Sequence, residues 1–179
     1  MPYSPIQCHI VSIDLIHNQN RVTTMSTINE VTSQADYIAA QRSRLSAQWQ
    51  AYHRTLINGI THSKIIHNHE LICGHNHDAR FLLFDHFMIR IQLNDDFYSR
   101  DICYCINVAT PDQAERLLPF AHATLDENGT IDGSVNNRDT QAVTEHYLMK
   151  ISVIYQCLFN SMHDNHSAHK ELEKIILNR

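Results

Sequence analysis

The strongest periodic signal lies in the first third of the chain. Val31, Ala35, Ile38, Arg42, Leu45, Trp49, Tyr52 and Leu56 recur at alternating steps of four and three residues. This is a heptad seam with one charged interruption, Arg42. Thr27 and Glu30 stand three apart just before it, the spacing of a capping box, in which a hydroxyl and a carboxylate satisfy the first amides of a helix. Asn58-Gly59 comes after the seam and has the chemistry of a left-handed helix end. The spacing therefore predicts a helix from Thr27 to Asn58, a rod of roughly 45 Å at 1.5 Å per residue. That exceeds what a small sheet needs as cover. The seam has two expected uses: packing on the domain's own sheet and last helix, or pairing, where it overhangs, with a partner helix or with a second copy in a homodimer.

The period then changes from seven to two. Phe81–Phe84 is a short apolar run, Phe87, Ile89, Ile91 and Leu93 alternate with polar or longer side chains, and Ile102, Tyr104, Ile106 and Val108 alternate again. Asn94-Asp95-Asp96 turns the chain between the two alternating runs, and Thr110-Pro111-Asp112 breaks the second of them. Leu118–Leu125 and Thr130–Val135 flank Asp126-Glu127-Asn128-Gly129, which reads as a hairpin. A sheet with one apolar face needs a cover. Val143, Tyr147, Ile151, Ile154 and Leu158 supply a helical stripe opening near Asp139, and Leu172, Ile175 and Ile176 suggest a short final helix. The expected fold class is α+β: a long amino-terminal helix, an antiparallel meander of four to five strands, and a carboxy-terminal helix packing on the sheet.

Composition narrows the function. An apolar fraction of 43% and moderate charge mark a globular domain. Net charge is −5, from 14 basic and 19 acidic residues, which argues against direct nucleic-acid binding, since that rests on Lys and Arg contacts to phosphate. The charge is uneven. Residues 37–69 carry Arg42, Arg44, Arg54 and Lys64 and no acid, whereas residues 70–145 carry 13 acids and 5 bases. No apolar run reaches the length of a membrane span, and the amino terminus lacks the pattern of a secretion signal. Five cysteines at irregular spacing then read as reduced thiols of a cytoplasmic protein.

The segment HNHELICGHNH, residues 67–77, packs four histidines, a cysteine and a glutamate into eleven positions. Side chains two apart share a face of an extended segment, so His67 with His69, and Cys73 with His75 and His77, are candidate ligands for zinc. The usual spacings, C-x-x-C or H-x-x-x-H, are absent, and the segment reads as a loop. Cys103 and Cys105 fall on a strand, opposite in face to Ile102 and Tyr104. Two positions apart they are expected to be too splayed to bridge and to serve as small packing groups. Asp85-His86 looks like half of an acid–base pair but has no nucleophile beside it, and no phosphate-cradling glycine loop occurs. No enzyme activity and no cofactor are expected.

Several stretches taken together resemble a known family. ADYIAAQRSRLSAQWQAY (35–52), LINGITHSK (56–64), FLLFDHF (81–87), GTIDGSVNNRD (129–139) and EHYLMKISVIY (145–155) are similar, in order, to the HycA family of formate hydrogenlyase regulatory proteins. The resemblance covers about Met25 to Asn160. It implies a cytoplasmic negative regulator of the formate regulon that antagonises the formate-responsive activator FhlA, with no catalytic residues or cofactor to carry over. Residues 1–24 lie outside it. Because Met25-Ser26-Thr27 is itself a suitable start, they are read as an appendage added by an upstream start, leaving 25–179 as the regulatory domain. The block Gly74–Arg80 is also foreign to the family pattern. With no helix-turn-helix evident, protein contact is the expected mode of action. Arg42, Arg44, Gln48 and Arg54 on the first helix are the expected contact residues. A metal sensor built on residues 67–77 and a direct DNA-binding repressor are the alternatives.

Overall fold

The computed structural model describes residues 10–63, 68–72, 78–94, 96–110 and 112–178, and the side chains of these apart from those of residues 10–25. It has the expected α+β order: helix α1 (Ile10–His62), strands β1 (His69–Ile72), β2 (Asp78–Leu83), β3 (Phe87–Leu93), β4 (Asp101–Asn107) and β5 (Leu117–Thr124), a small ladder of β6 (Thr130–Ile131) and β7 (Val135–Asn136), then helices α2 (Thr140–His163) and α3 (Ala168–Leu177). The first five strands form one antiparallel meander in the order β1-β2-β3-β4-β5. The chain divides into two compact units, Met1–Arg42 and Ser43–Arg179.

In the second unit the period-two pattern does what it predicts. Phe81 and Leu83 of β2, Ile89 and Ile91 of β3, and Ile102, Tyr104 and Ile106 of β4 are fully buried in one core. The helices cover this single face. Leu45, Trp49, Tyr52, Leu56 and Ile60 come from α1, and Val143, Tyr147, Ile151, Ile154 and Leu158 from α2. Enclosing each large side chain stabilises the fold by about 1.5–3 kcal/mol. Asp139 caps α2, its carboxylate accepting from the Ala142 amide at 3.0 Å, at the boundary predicted from sequence.

Three local expectations are overturned. Thr27 and Glu30 lie inside α1, which starts at Ile10 among the described residues, so the helical backbone at Thr27 leaves no extended cap for a capping box to use. Asn58-Gly59 does not end the helix either. Gly59 is buried, and a Cβ there would sit 2.0 Å from Thr144 Oγ1 and 3.4 Å from the Thr140 carbonyl oxygen. This glycine serves the close approach of α1 to α2, not a left-handed cap. Thr130–Val135 is not one strand: Asp132 and Gly133, at φ 47° and 70°, turn the chain so that Ile131 pairs with Val135. This is the Asp-Gly hairpin turn, whose two central residues need positive φ. Asp126–Gly129 does form a turn, but it leads only to the single Leu125–Ile131 bridge.

Candidate functional site

The expected contact residues are distributed along α1, and the seam they accompany changes character along its length. Leu45 and Trp49 are 4% exposed and Tyr52 and Leu56 are fully enclosed, whereas Val31 is 57% and Ile38 44% exposed. Ile28, one step of three before Val31, is exposed on the same seam, as is the large ring of Tyr37 nearby. Ile28 was legible in the heptad spacing as an extension of the seam. Tyr37 lies off it and carried no signal.

Arg42, Arg44 and Arg54 are exposed, but Gln48 is turned inward. Its amide donates to the Glu127 carbonyl at 3.2 Å, while Asn137 Nδ2 donates to its backbone oxygen at 2.9 Å and to Oε1 at 3.0 Å. Gln48 thus pins α1 to the loop before β6 and to the end of the small ladder. Arg54 lies at a shallow cleft of about 260 Å³ with Gln50, His53, Ile57 and Asn58.

Of the five metal-ligand candidates, only His69 is among the described residues; His67, Cys73, His75 and His77 lie outside them. Part of the segment read as a loop is instead the edge strand β1, whose His69 pairs with Leu83. The His69 ring faces the core, edge-on to Phe81 and Tyr147 and stacked on Tyr155. Its Nε2 is 2.8 Å from the Tyr147 hydroxyl and its Nδ1 3.4 Å from that of Tyr155. Burial lowers its pKa from 6.5 to about 4: it is a neutral ring held by two tyrosines. Among the described residues no group of three or more His, Cys, Asp or Glu side chains is arranged to hold a metal ion.

The best-organised polar cluster joins the hairpin turn to α2. Asp132 accepts from Lys150 Nζ at 2.7 Å, from His146 Nε2 at 3.0 Å and from the Thr124 amide at 2.8 Å. Burial opposes ionisation of Asp132, but the bonds from Lys150, Thr124 and His146 outweigh it and hold the pKa at about 2. These bonds tie the hairpin turn to α2, and the chemistry of the cluster is that of a clamp.

A scan of protein families matches residues 26–173 to the HycA repressor model, described as a transcriptional repressor of the hyc and hyp operons. The chain belongs to the HycA repressor family. It is 40% identical over 139 residues to the formate hydrogenlyase regulatory protein HycA of Escherichia coli K12, covering 78% of this chain and 89% of that protein. The HycA proteins of Escherichia coli O157:H7 and Shigella flexneri show the same identity and coverage. No solved structure matches significantly. The HycA match includes Asp132, His146 and Lys150, the buried half of the α1 seam and the exposed residues Ile28, Val31, Tyr37 and Ile38. No helix among the described residues is long and apolar enough to cross a membrane.

Proposed function

We propose that this chain represses formate hydrogenlyase operons, and that it does so by binding the formate-responsive activator FhlA through its first helix. The observation that carries the reading is the exposure of Ile28, Val31 and Ile38 on an apolar heptad seam. Apolar side chains at helical spacing are the anchors by which an amphipathic helix enters a groove on another protein. Arg42, Arg44 and Arg54 add positive charge to the same helix, suited to steering it toward an acidic partner surface. The domain as a whole is acidic, at −5, which supports protein contact over operator binding.

The test is co-purification of the full chain with purified activator, with and without formate and promoter DNA. The reading expects a complex that forms without DNA, and an isolated chain that promoter DNA does not retain at physiological salt. Salt-sensitive retention of the isolated chain on that DNA would favour a direct repressor instead. Stoichiometric metal in untagged protein, with repression lost on replacing His67, His69, His75 and His77, would favour a metal sensor. Self-association through the same seam is a competing use of the helix, and sedimentation equilibrium separates a homodimer from a monomer that pairs only with the activator. Reversing charge in an Arg42→Glu/Arg44→Glu pair is expected to weaken activator binding about tenfold, equivalent to ~1.4 kcal/mol. Full repression by a normally folded double variant counts against these arginines.

A further inference from the structure

The core uses only one face of the meander, and β4 presents Cys103 and Cys105 on the other. Ile102, Tyr104 and Ile106 point into the helix-covered core, so alternation along the strand sends the two cysteines to the opposite side together. The two side chains converge instead of splaying, and both are free thiols. Their sulfurs lean toward each other and lie 3.4 Å apart, in hydrogen-bond contact and about 1.4 Å beyond the length of an S–S bond. The neighbours are polar and basic. Cys105 pairs across the ladder with Arg90 of β3, Arg90 with Arg80 of β2, and Cys103 with His122 of β5. Arg80 and Arg90 both donate through Nε to one oxygen of Asp78, at 2.9 and 2.8 Å, so this carboxylate offsets one of the two positive charges and not both.

We infer that Cys103 and Cys105 form a thiol modification site that a peroxide oxidises to a disulfide within β4. The two sulfurs have different roles. Cys103 is half-buried and within reach of a small oxidant, whereas Cys105 is 6% exposed. The hydrogen bond from Cys105 lowers the Cys103 pKa against the opposing effect of burial, while that same bond and burial raise that of Cys105. Cys103 is thus the readier thiolate and Cys105 the thiol that keeps its proton. A low-pKa, accessible cysteine beside a second thiol is the arrangement by which sulfenic acids are formed and resolved.

The chemistry balances with hydrogen peroxide as the two-electron oxidant. The Cys103 thiolate attacks one peroxide oxygen, the O–O bond breaks, and the leaving hydroxide takes up a proton to give water and Cys103 sulfenic acid. Cys105 then attacks the Cys103 sulfur, an S–S bond forms as the S–O bond breaks, and the Cys105 proton leaves with the hydroxyl as a second water. Two thiols and one peroxide yield one disulfide and two waters. Cys157, the remaining described thiol, is buried on α2 and its pKa is raised by that burial, which makes it the internal control.

The test is peroxide treatment of the reduced full chain, followed by alkylation, tryptic digestion and mass mapping. Both cysteines fall in one tryptic peptide, residues 101–116, which contains no other cysteine. The expected product is that peptide two hydrogens lighter and refractory to alkylation, formed at least ~10-fold faster than any oxidation of Cys157. Cys105→Ser should leave Cys103 as a sulfenic acid that dimedone traps, and Cys103→Ser should abolish both disulfide and trapping, with circular dichroism confirming the fold of each variant. The inference is overturned if both cysteines alkylate fully after peroxide, if Cys103 pairs with Cys8 or Cys73 instead, or if sulfinic acid accumulates in the unsubstituted chain without the internal bond. None of these outcomes depends on activator binding.

Discussion

A histidine two places from another histidine on an extended segment invites a chelate, but the nitrogens of His69 are turned to tyrosines. Its partner Tyr147 is 78 residues away in the chain, a distance over which local spacing carries no information; only the apolar stripe of α2 hinted that Tyr147 would face the sheet. The consequence is a pH dependence with a defined sign. The His69 pKa is depressed by burial from 6.5 to about 4, so between those values the unfolded chain binds the proton and the folded chain does not. His69 therefore contributes fully above pH 6.5, and its contribution is lost as pH falls toward 4. The ring is only partly enclosed, and solvent screening reduces the effect to on the order of 1–2 kcal/mol. Urea unfolding at pH 7 and pH 4.5 should show a drop in stability smaller by that amount in His69→Gln than in the unsubstituted chain; an equal drop in both assigns the sensitivity elsewhere. Deeper in the same core the hydroxyls of Tyr52 and Tyr104 lie 2.8 Å apart. Tyr52→Phe leaves the Tyr104 hydroxyl buried without its partner and should cost about 1–2 kcal/mol. Adding Tyr104→Phe should cost little more, a non-additivity that a double-mutant cycle measures directly.

Elements that follow one face were legible from sequence, as was the Asp139 cap of α2; the ends of α1 and the helix crossing were not. The alternation of β3 and β4 and the stripe of α2 located these elements, because burial on a single face imposes a period that survives without tertiary knowledge, whereas the apolar run Phe81–Phe84 marked only part of β2, Asp78–Leu83. Caps are weaker signals, since a helix continues through a capping sequence when the residues before it also favour helix. The Asp132-Gly133 turn falls inside the stretch read as one strand, Thr130–Val135, although an Asp-Gly pair is itself a turn signal. Gly59 is the clearest case, because its place against α2 is a property of two helices at once. Gly59→Ala favours helix by ~1 kcal/mol in isolation, but its Cβ meets Thr144 Oγ1, which is itself bonded to the Thr140 carbonyl at 2.7 Å. The crowding is expected to win and to destabilise the chain by about 1–3 kcal/mol. Pairing it with Thr144→Ala removes the obstructing oxygen, and thermal unfolding should then return close to the level of Thr144→Ala alone. If Gly59→Ala by itself raises stability, the glycine was a cap-like relic and not a contact.

At the scale of the whole molecule, one heptad seam serves two ends. The period identified the seam but not where its covering stops, because the sequence of Ile28–Ile38 differs little in kind from that of Leu45–Leu56. Burial separates them: four of the later seam residues are at most 4% exposed, while Val31 is 57% exposed. The exposed residues take no share in this core, so the proposed docking and folding are separable by experiment. Val31→Asp/Ile38→Asp should leave the unfolding free energy within about 0.5 kcal/mol of the unsubstituted chain, as exposed substitutions do. Trp49→Ala, on the same seam, should cost about 3–5 kcal/mol through the cavity it opens. If the exposed half is the partner-binding surface, the aspartate pair loses activator co-purification and repression while remaining folded. Trp49→Ala loses repression only in proportion to the unfolded fraction, so its defect should recede at lower temperature where the native state is repopulated. Should the aspartate pair repress normally, the seam is not the docking surface and the contact must be sought on the acidic side of the chain, where residues 70–145 hold 13 acids against 5 bases. A loss of stability in the aspartate pair as large as that in Trp49→Ala would instead mean that the seam is covered in solution, and the oligomeric state of the free chain would then identify a second copy as its occupant.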